Sequence, residues 1–106
     1  MTLTKQALAN EIIISVEGRL DSITSLTLQE TLILAVDEYD NVSLNFEGLS
    51  YICSAGFRVL LMTHKIAVGR KCALAIRNVP AEIMRLFDMS GLTEHLSVNE
   101  VSYGEK

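Results

Sequence analysis

The sequence predicts a single-domain α/β fold in which a four- to five-stranded mixed sheet carries its helices on one side. Three observations lead there. Runs of β-branched or alternating apolar residues are separated by stretches with helical spacing, in the order β-β-α-β-α-β-α-β. Short crossovers of that kind favour parallel neighbours with helices laid against the sheet. The chain has 106 residues, enough for one core and too few for two. Hydrophobic residues make up 49% of it and charged residues 21%, so it can bury a core rather than stay disordered.

Each element has a local signature. Residues 3–8 and 11–17 flank Ala9-Asn10 and form an N-terminal hairpin. Ile12-Ile13-Ile14-Ser15-Val16 is rich in β-branched side chains and suits a strand buried on both faces, ended by Gly18. Beyond Asp21-Ser22, the spacing of Leu28, Leu32, Ala35, Val36 and Tyr39 predicts a helix over 24–39. Ser22 or Thr24 can cap it and Asp40-Asn41 can close it. Val42, Leu44 and Phe46 alternate with Ser43, Asn45 and Glu47 as a short strand before the turn Glu47-Gly48. Phe57, Leu60, Leu61, His64 and Val68 then form the apolar stripe of a helix over 55–69, stopped by Gly69. On that stripe His64 is a partly buried, hydrogen-bonded residue rather than a catalytic base, because no acid or nucleophile is in register with it. Cys72-Ala73-Leu74-Ala75-Ile76 is a central strand, with Cys72 as a small core residue. Pro80 opens a helix over 80–89 with Ile83, Leu86 and Phe87 on one face, and Gly91 ends it. Leu96-Ser97-Val98 is a last short strand. Residues 99–106 form a tail outside a core of about 3–98.

Composition excludes several classes of function. With 13 acidic and 9 basic residues the net charge is −4, and no basic block offers a footprint for nucleic acid. No 18-residue apolar stretch escapes charge, so membrane insertion is not expected. Lys5 and Asn10-Glu11 do not make a signal peptide, and reduced thiols in the cytoplasm are the simplest reading of Cys53 and Cys72. The two cysteines lack CxxC spacing, and His64 and His95 are too scattered to complete a metal site. The dispersed glycines form no phosphate-cradling loop, so no cofactor is expected. The chain does not read as an enzyme.

The most informative stretch is Tyr51-Ile52-Cys53-Ser54-Ala55-Gly56-Phe57-Arg58, where a loop turns into a helix. A hydroxyl at that place meets free backbone N–H groups and the positive end of the helix dipole. A phosphate on Ser54 would be stabilised by both. The ordinary reading is that Ser54 is an N-cap, which contributes about 0.5–2 kcal/mol and needs no further function. Binding surfaces in such folds gather at the carboxyl ends of strands, where Asp21 and Ser54 would both lie.

Several spaced features, taken together, resemble the STAS domain family of bacterial anti-sigma factor antagonists. Val16-Glu17-Gly18-Arg19-Leu20-Asp21 is similar to that family's Gly-x-Leu-Asp turn before the first helix, and Leu44-Asn45-Phe46-Glu47-Gly48-Leu49 to its third strand and turn. Residues 51–57 are similar to its Asp-Ser-Ser-Gly-Leu segment, and 78–92 to its last long helix with the Gly-Leu after it. Aligned on Gly56, the family's phosphoacceptor serine is Ser54. The resemblance implies a phosphorylation-gated partner switch. The unphosphorylated chain would bind an anti-sigma factor that is also a serine kinase, and the phosphorylated chain would let go. The implied docking residues are Asp21, Cys53, Ser54, Ala55, Gly56 and Arg58, with Arg19 flanking them.

The pattern also departs from the family. Cys53 stands where the motif has aspartate, Ala55 where it has a second serine, and Asn45 where an aspartate ends the third strand. These changes remove negative charge from the surroundings of Ser54. Asp21, the acidic position kept, is equally suited to starting a helix. The alternative functions are a STAS regulatory subunit of a transporter or signalling assembly that works without phosphorylation, and, weakest, a small serine or thiol enzyme, for which no positioned base is visible. Homodimerisation through a helical face is left open.

Overall fold

A tight hairpin begins the fold. Strand β1 (Thr2–Leu8) runs antiparallel to β2 (Glu11–Leu20), pairing Leu8 with Glu11 across a turn in which Ala9 takes a φ of 47°. The computed structural model describes residues 1–91 and the backbone of 97–100. In it, α1 (Thr24–Glu38), β3 (Asn41–Asn45), β4 (Leu49–Ile52), α2 (Ser54–Gly69), β5 (Ala73–Val79), α3 (Ala81–Ser90) and β6 (Ser97–Glu100) follow the hairpin. The strands lie in the order β1-β2-β3-β5-β6, and β4 pairs separately with β2. Every pairing but the first is parallel, with Ile14 opposite Leu44, Leu44 opposite Ile76, and Ile76 opposite Val98. The expected mixed sheet is therefore present, with β4 as a short addition.

Side-chain alternation decides which sheet face is core. Ile12, Ile14 and Val16 of β2, Val42 and Leu44 of β3, and Leu74 and Ile76 of β5 are buried beneath the helices. Leu28, Leu32 and Val36 of α1, Leu60 and Ala67 of α2, and Ile83 and Phe87 of α3 close over them. Each large aliphatic side chain buried in this layer contributes about 1.5–3 kcal/mol. Phe87 docks α3 by edge-on contacts, with ring centroids 6.4 Å from Phe46 and 5.1 Å from Phe57. At the far end of the helix pair, exposed Arg70 and Asp37 form an ion pair, of the kind that adds little stability.

Five expectations need correction. Strand β2 is buried on one face only: Ile13 and Ser15 are half-exposed because no helix covers the other side. Gly18 does not end β2; the strand passes through it, with φ 96° and a register shift between Gly18 and Arg19, and continues to Leu20. Helix α2 faces the core with Gly56, Val59, Leu60, Thr63 and Ala67, whereas Val68 is 63% exposed. Apolar residues lie on several sides of this helix, so spacing alone could not choose the buried one. Likewise Leu86 of α3 is 37% exposed, while Ile83 and Phe87 are buried and Met84 packs partly buried against the core. Asn99 and Glu100, expected in a tail, belong to β6; residues 101–106 and Leu96 lie outside the described residues.

Gly18 is the hinge of this topology. Its N–H donates to Gly48 O at 2.9 Å, and its carbonyl accepts from Ser50 Oγ at 3.0 Å, so both sides of the bulge are tied to the segment that leads into β4. A side chain at positive φ strains the backbone. Gly18→Ala is expected to destabilise the domain by about 1–2 kcal/mol, measured as a lower urea midpoint at unchanged m-value.

Candidate functional site

The site is built where β2 overhangs β3. Beyond the bulge Arg19 pairs with Tyr51 and Leu20 with Ile52. The Cys53 N–H then donates to Leu20 O at 3.0 Å. Asp21 and Cys53 are thus the next residues of two adjacent parallel chains, and each leads directly into a helix. Arg19 lies across Tyr51, with its guanidinium carbon 4.1 Å from the ring centroid, a cation–π contact worth about 0.5–1 kcal/mol at a surface.

Asp21 caps α1. Its Oδ1 accepts from the N–H of Ile23 at 3.0 Å and of Thr24 at 2.9 Å, and its carbonyl takes the Ser25 N–H at 2.9 Å. Thr24 reciprocates, its Oγ1 accepting from Asp21 N–H at 2.8 Å. The cap is therefore Asp21 acting with Thr24; Ser22 makes no capping bond. The Thr24 N–H, then the Thr24 hydroxyl, hold the Asp21 carboxyl below the usual carboxylate range, helped by Ile23 N–H and Arg19 and opposed by partial desolvation.

Helix α2 starts differently from the expectation. The N-cap is Cys53, extended at φ −102° and ψ 176°, and no side chain caps the helix. The Cys53 carbonyl accepts from Gly56 and Phe57 N–H at 3.0 and 3.2 Å. Ser54 is the first helical residue, exposed, and its hydroxyl makes no hydrogen bond among the described residues. The capping role read from the sequence does not hold: the backbone conformation needed for a cap has moved one residue back.

The remaining expected site residues divide. Arg58 is exposed, and Cys53 and Ala55 are half-buried beside Ser54. Gly56 is buried, and its role is packing. A Cβ there would lie 2.8 Å from Ile52 Cγ1 and 3.1 Å from Leu20 Cγ, so α2 can press onto the β2–β4 pair only without a side chain at this position. Asn45 is not part of the cluster. Its Oδ1 accepts from Glu47 N–H at 3.1 Å and Asn78 Nδ2 at 3.0 Å, joining the end of β3 to its turn and to β5 on the open sheet face. His64 is half-buried farther along α2 beside Leu61, Lys65 and Val68. Cys72 is buried, and desolvation followed by the charge of Asp40 pushes its thiol pKa up.

Between the first turns of α1 and α2 runs a groove of about 200 Å³, lined among others by Ser22, Ser25, Gln29, Ala55, Arg58 and Met62. At its α1 side Ile23 and Leu26 are 76% and 62% exposed. The sequence contained a signal for these two: both are apolar but sit off the buried stripe of α1. A larger concavity of about 530 Å³, between β1 and the C-terminal half of α1, is lined by Lys5, Ala7, Glu30, Leu34 and Tyr39 and lies at the opposite end of that helix. Among the described residues no cluster of metal-ligating side chains occurs, and no helix is long and apolar enough to cross a membrane.

Comparison with known proteins gives a consistent set of likenesses. The family model described as Mlab, STAS domain, matches residues 3–98. The chain is 33% identical over 88 residues to an anti-sigma-B factor antagonist of Staphylococcus epidermidis, covering 82% of each protein. It is 25% identical over 95 residues to the anti-sigma-B factor antagonist of Bacillus subtilis, covering 90% of this chain and 87% of that one. Its fold is similar to the anti-sigma factor antagonist SpoIIAA of Bacillus. The unphosphorylated form superimposes with TM-score 0.79 at 18% identity over 92% of this chain and 87% of that chain. The phosphorylated form gives 0.73 at 18% identity over 92% and 90%.

Two outcomes follow from this geometry. Gly56→Ala is expected to cost about 1–3 kcal/mol of stability through overpacking against Leu20 and Ile52, less any gain in helix propensity, as measured by chemical denaturation. Asp21 has a depressed folded-state pKa, so its charge adds stability that is complete above the unfolded carboxyl value of about 3.9 and is lost as pH falls through the lower folded value. Asn accepts the same hydrogen bonds without the charge. Thermal midpoints of wild type and Asp21→Asn should therefore differ most above about pH 5 and converge below about pH 4.

Proposed function

We propose, from the premise that this chain belongs to the STAS domain family, that it is an anti-sigma factor antagonist whose grip on an anti-sigma factor is switched by phosphorylation of Ser54. The observation that carries this reading is the free hydroxyl of Ser54. It stands exposed on the first residue of α2, and no capping bond among the described residues competes for it. A serine used as the cap would have to give up that bond to become a phosphoacceptor. The names of the two sequence relatives, both antagonists of an anti-sigma-B factor, support the partner class. SpoIIAA keeps a fold similar to this one in both its unphosphorylated and phosphorylated forms, which supports a switch acting at the surface.

In this reading the docking surface comprises Ser54 with Asp21, Cys53, Ala55 and Arg58, bordered by exposed Ile23 and Leu26. Gly56 acts beneath it by letting α2 approach. The partner is an anti-sigma factor that is also a serine kinase, working in the cytoplasm. It would transfer the γ-phosphoryl group of ATP to Ser54 Oγ, releasing ADP and a proton. The chain is ligand and substrate, not catalyst. The phosphate adds about −1.5 to −2 of charge where the partner packs, and losing only about 1.4 kcal/mol weakens binding tenfold. The positive end of α2 stabilises the same charge within this chain, so the effect falls on the complex and not on the fold.

A second reading is favoured by Cys53 and Ala55, which replace an acid and a serine of the family's motif: a constitutive STAS subunit of a transporter or signalling assembly. The two separate in one experiment. Incubation with the cognate anti-sigma kinase and ATP is expected to add one phosphate, mapped by mass spectrometry to Ser54 and abolished by Ser54→Ala. Ser54→Asp should keep the far-UV spectrum and bind the anti-sigma factor at least about tenfold more weakly. A chain that takes no phosphate, and whose Ser54 variants bind normally, would establish the constitutive reading instead.

A further inference from the structure

We propose that the groove between α1 and α2 is an oxyanion site, built from Arg58 and the Ser25 hydroxyl, that the Ser54 phosphate fills in cis. The proposal rests on the phosphorylation reading and adds what this chain does with the phosphate once it is there.

Three observations meet in one place. The Ser25 side chain is 1% exposed, and its Oγ is buried with no hydrogen-bond partner among the described residues. Burial has removed water from this hydroxyl without replacing it, which is unfavourable until an acceptor arrives. Arg58 lines the same groove, is exposed, and makes no ion pair among the described residues. The residues lining the groove include no carboxylate. The groove is thus lined by a residue whose buried hydroxyl lacks an acceptor and by a cation without a counter-ion, and a group that would satisfy both is an oxyanion.

The helix register supplies one. Ala55 and Arg58 line the groove, and Ser54 stands one residue before Ala55 at the start of the same helix. Residues four apart on a helix share a face, so a phosphate on Ser54 lies within the sweep of the Arg58 side chain. A guanidinium fork binds phosphate oxygens in pairs, and tethering replaces a bimolecular encounter by a local one. The departures at Cys53 and Ala55 now gain a physical sense. Neither residue offers a carboxylate to compete for Arg58, and the nearby acid, Asp21, has its Oδ1 committed to Ile23 and Thr24. Phosphorylation would then do more than add charge to the docking surface: it would also draw Arg58 off that surface and into the groove.

The test needs no kinase. Phosphoserine is placed at position 54 during synthesis through a reassigned codon, in the wild-type, Arg58→Gln, Arg58→Lys and Ser25→Ala backgrounds, and folding is checked by amide NMR spectra. The second phosphate ionisation, near pH 6 for free phosphoserine, is followed by phosphorus NMR. The dipole of α2 acts on it in every background, so the difference between backgrounds isolates the groove. The expected result is a wild-type value lower than that of Arg58→Gln by about 0.5 or more, with Arg58→Lys and Ser25→Ala between them. Equal values in wild type and Arg58→Gln would overturn the proposal. In a second arm, inorganic phosphate is titrated into unmodified protein while the Arg58 Nε–H signal is observed. A saturating shift there, together with equal phosphoserine values, would assign the groove to an anion from outside and would likewise overturn the cis assignment. A kinase that leaves Ser54 unmodified would sink the switch reading while leaving this comparison intact.

Discussion

Strand β2 spans Glu11–Leu20 and β3 only Asn41–Asn45, so the C-terminal part of β2 runs past its neighbour with an unpaired edge. Strand β4 takes that edge, and the geometry of the site depends on the exchange. At Gly18 the backbone adopts φ 96°, the register shifts, and β2 changes partner from β3 to β4. The pairing then ends in the main-chain bond from Cys53 to Leu20, which places the starts of α1 and α2 side by side. Spacing within each segment places the helix starts at 24 and 55, against Thr24 and Ser54 observed, but it does not bring the two starts together. Each is defined by the strand it leaves, and those strands are held together by a four-residue element, Leu49–Ile52, with little periodicity of its own.

The two helix starts solve the same chemical problem in different ways. Each must satisfy N–H groups that have no intrahelical partner. At α1 a carboxylate and a threonine satisfy them reciprocally, so Asp21 is structural before it is anything else. At α2 the cap is a cysteine whose side chain accepts nothing, and the first turn is held by backbone bonds and by close packing of Gly56 on Leu20 and Ile52. Side-chain capping is worth about 0.5–2 kcal/mol. Forgoing it at α2 leaves the Ser54 hydroxyl uncommitted at the positive end of a helix. Phe57, three residues on, anchors the same turn through its ring contact with Phe87, so packing holds the start of α2 while Ser54 stays exposed.

Much of the fold was legible in local pattern. The hairpin, the helices and the strands other than β4 follow from β-branched runs, i, i+4 spacing and turn residues, because these record which backbone conformation each segment prefers. Gly91 was legible as a helix stop and adopts φ 79° at the C-cap of α3. Orientation was less legible. Val68 and Leu86 fit an apolar stripe and yet face solvent, while Thr63 is buried, its hydroxyl bonding back to Val59 O at 2.8 Å. Helix α2 carries apolar residues on several sides, and only its neighbours choose among them. Asn45 stands where the family has an aspartate at the end of the third strand. The structure gives it to the link between β3 and β5, since strand alternation turns its side chain to the uncovered face of the sheet.

By itself, the sequence determined the class of fold, the order of elements other than β4, the serine at the loop-to-helix junction and its likeness to a family. All of these are properties of neighbouring residues or of their spacing, and local backbone preference is enough to express them. The tertiary structure alone decided that β4 pairs with the overhang of β2, that Gly56 packs inward against Leu20 and Ile52, that Cys53 and not Ser54 is the cap, and that Ser25 and Arg58 share a groove. Those facts depend on contacts between segments distant in sequence. Such contacts form only when burial of the common core fixes register and helix rotation together, and no single segment carries that information.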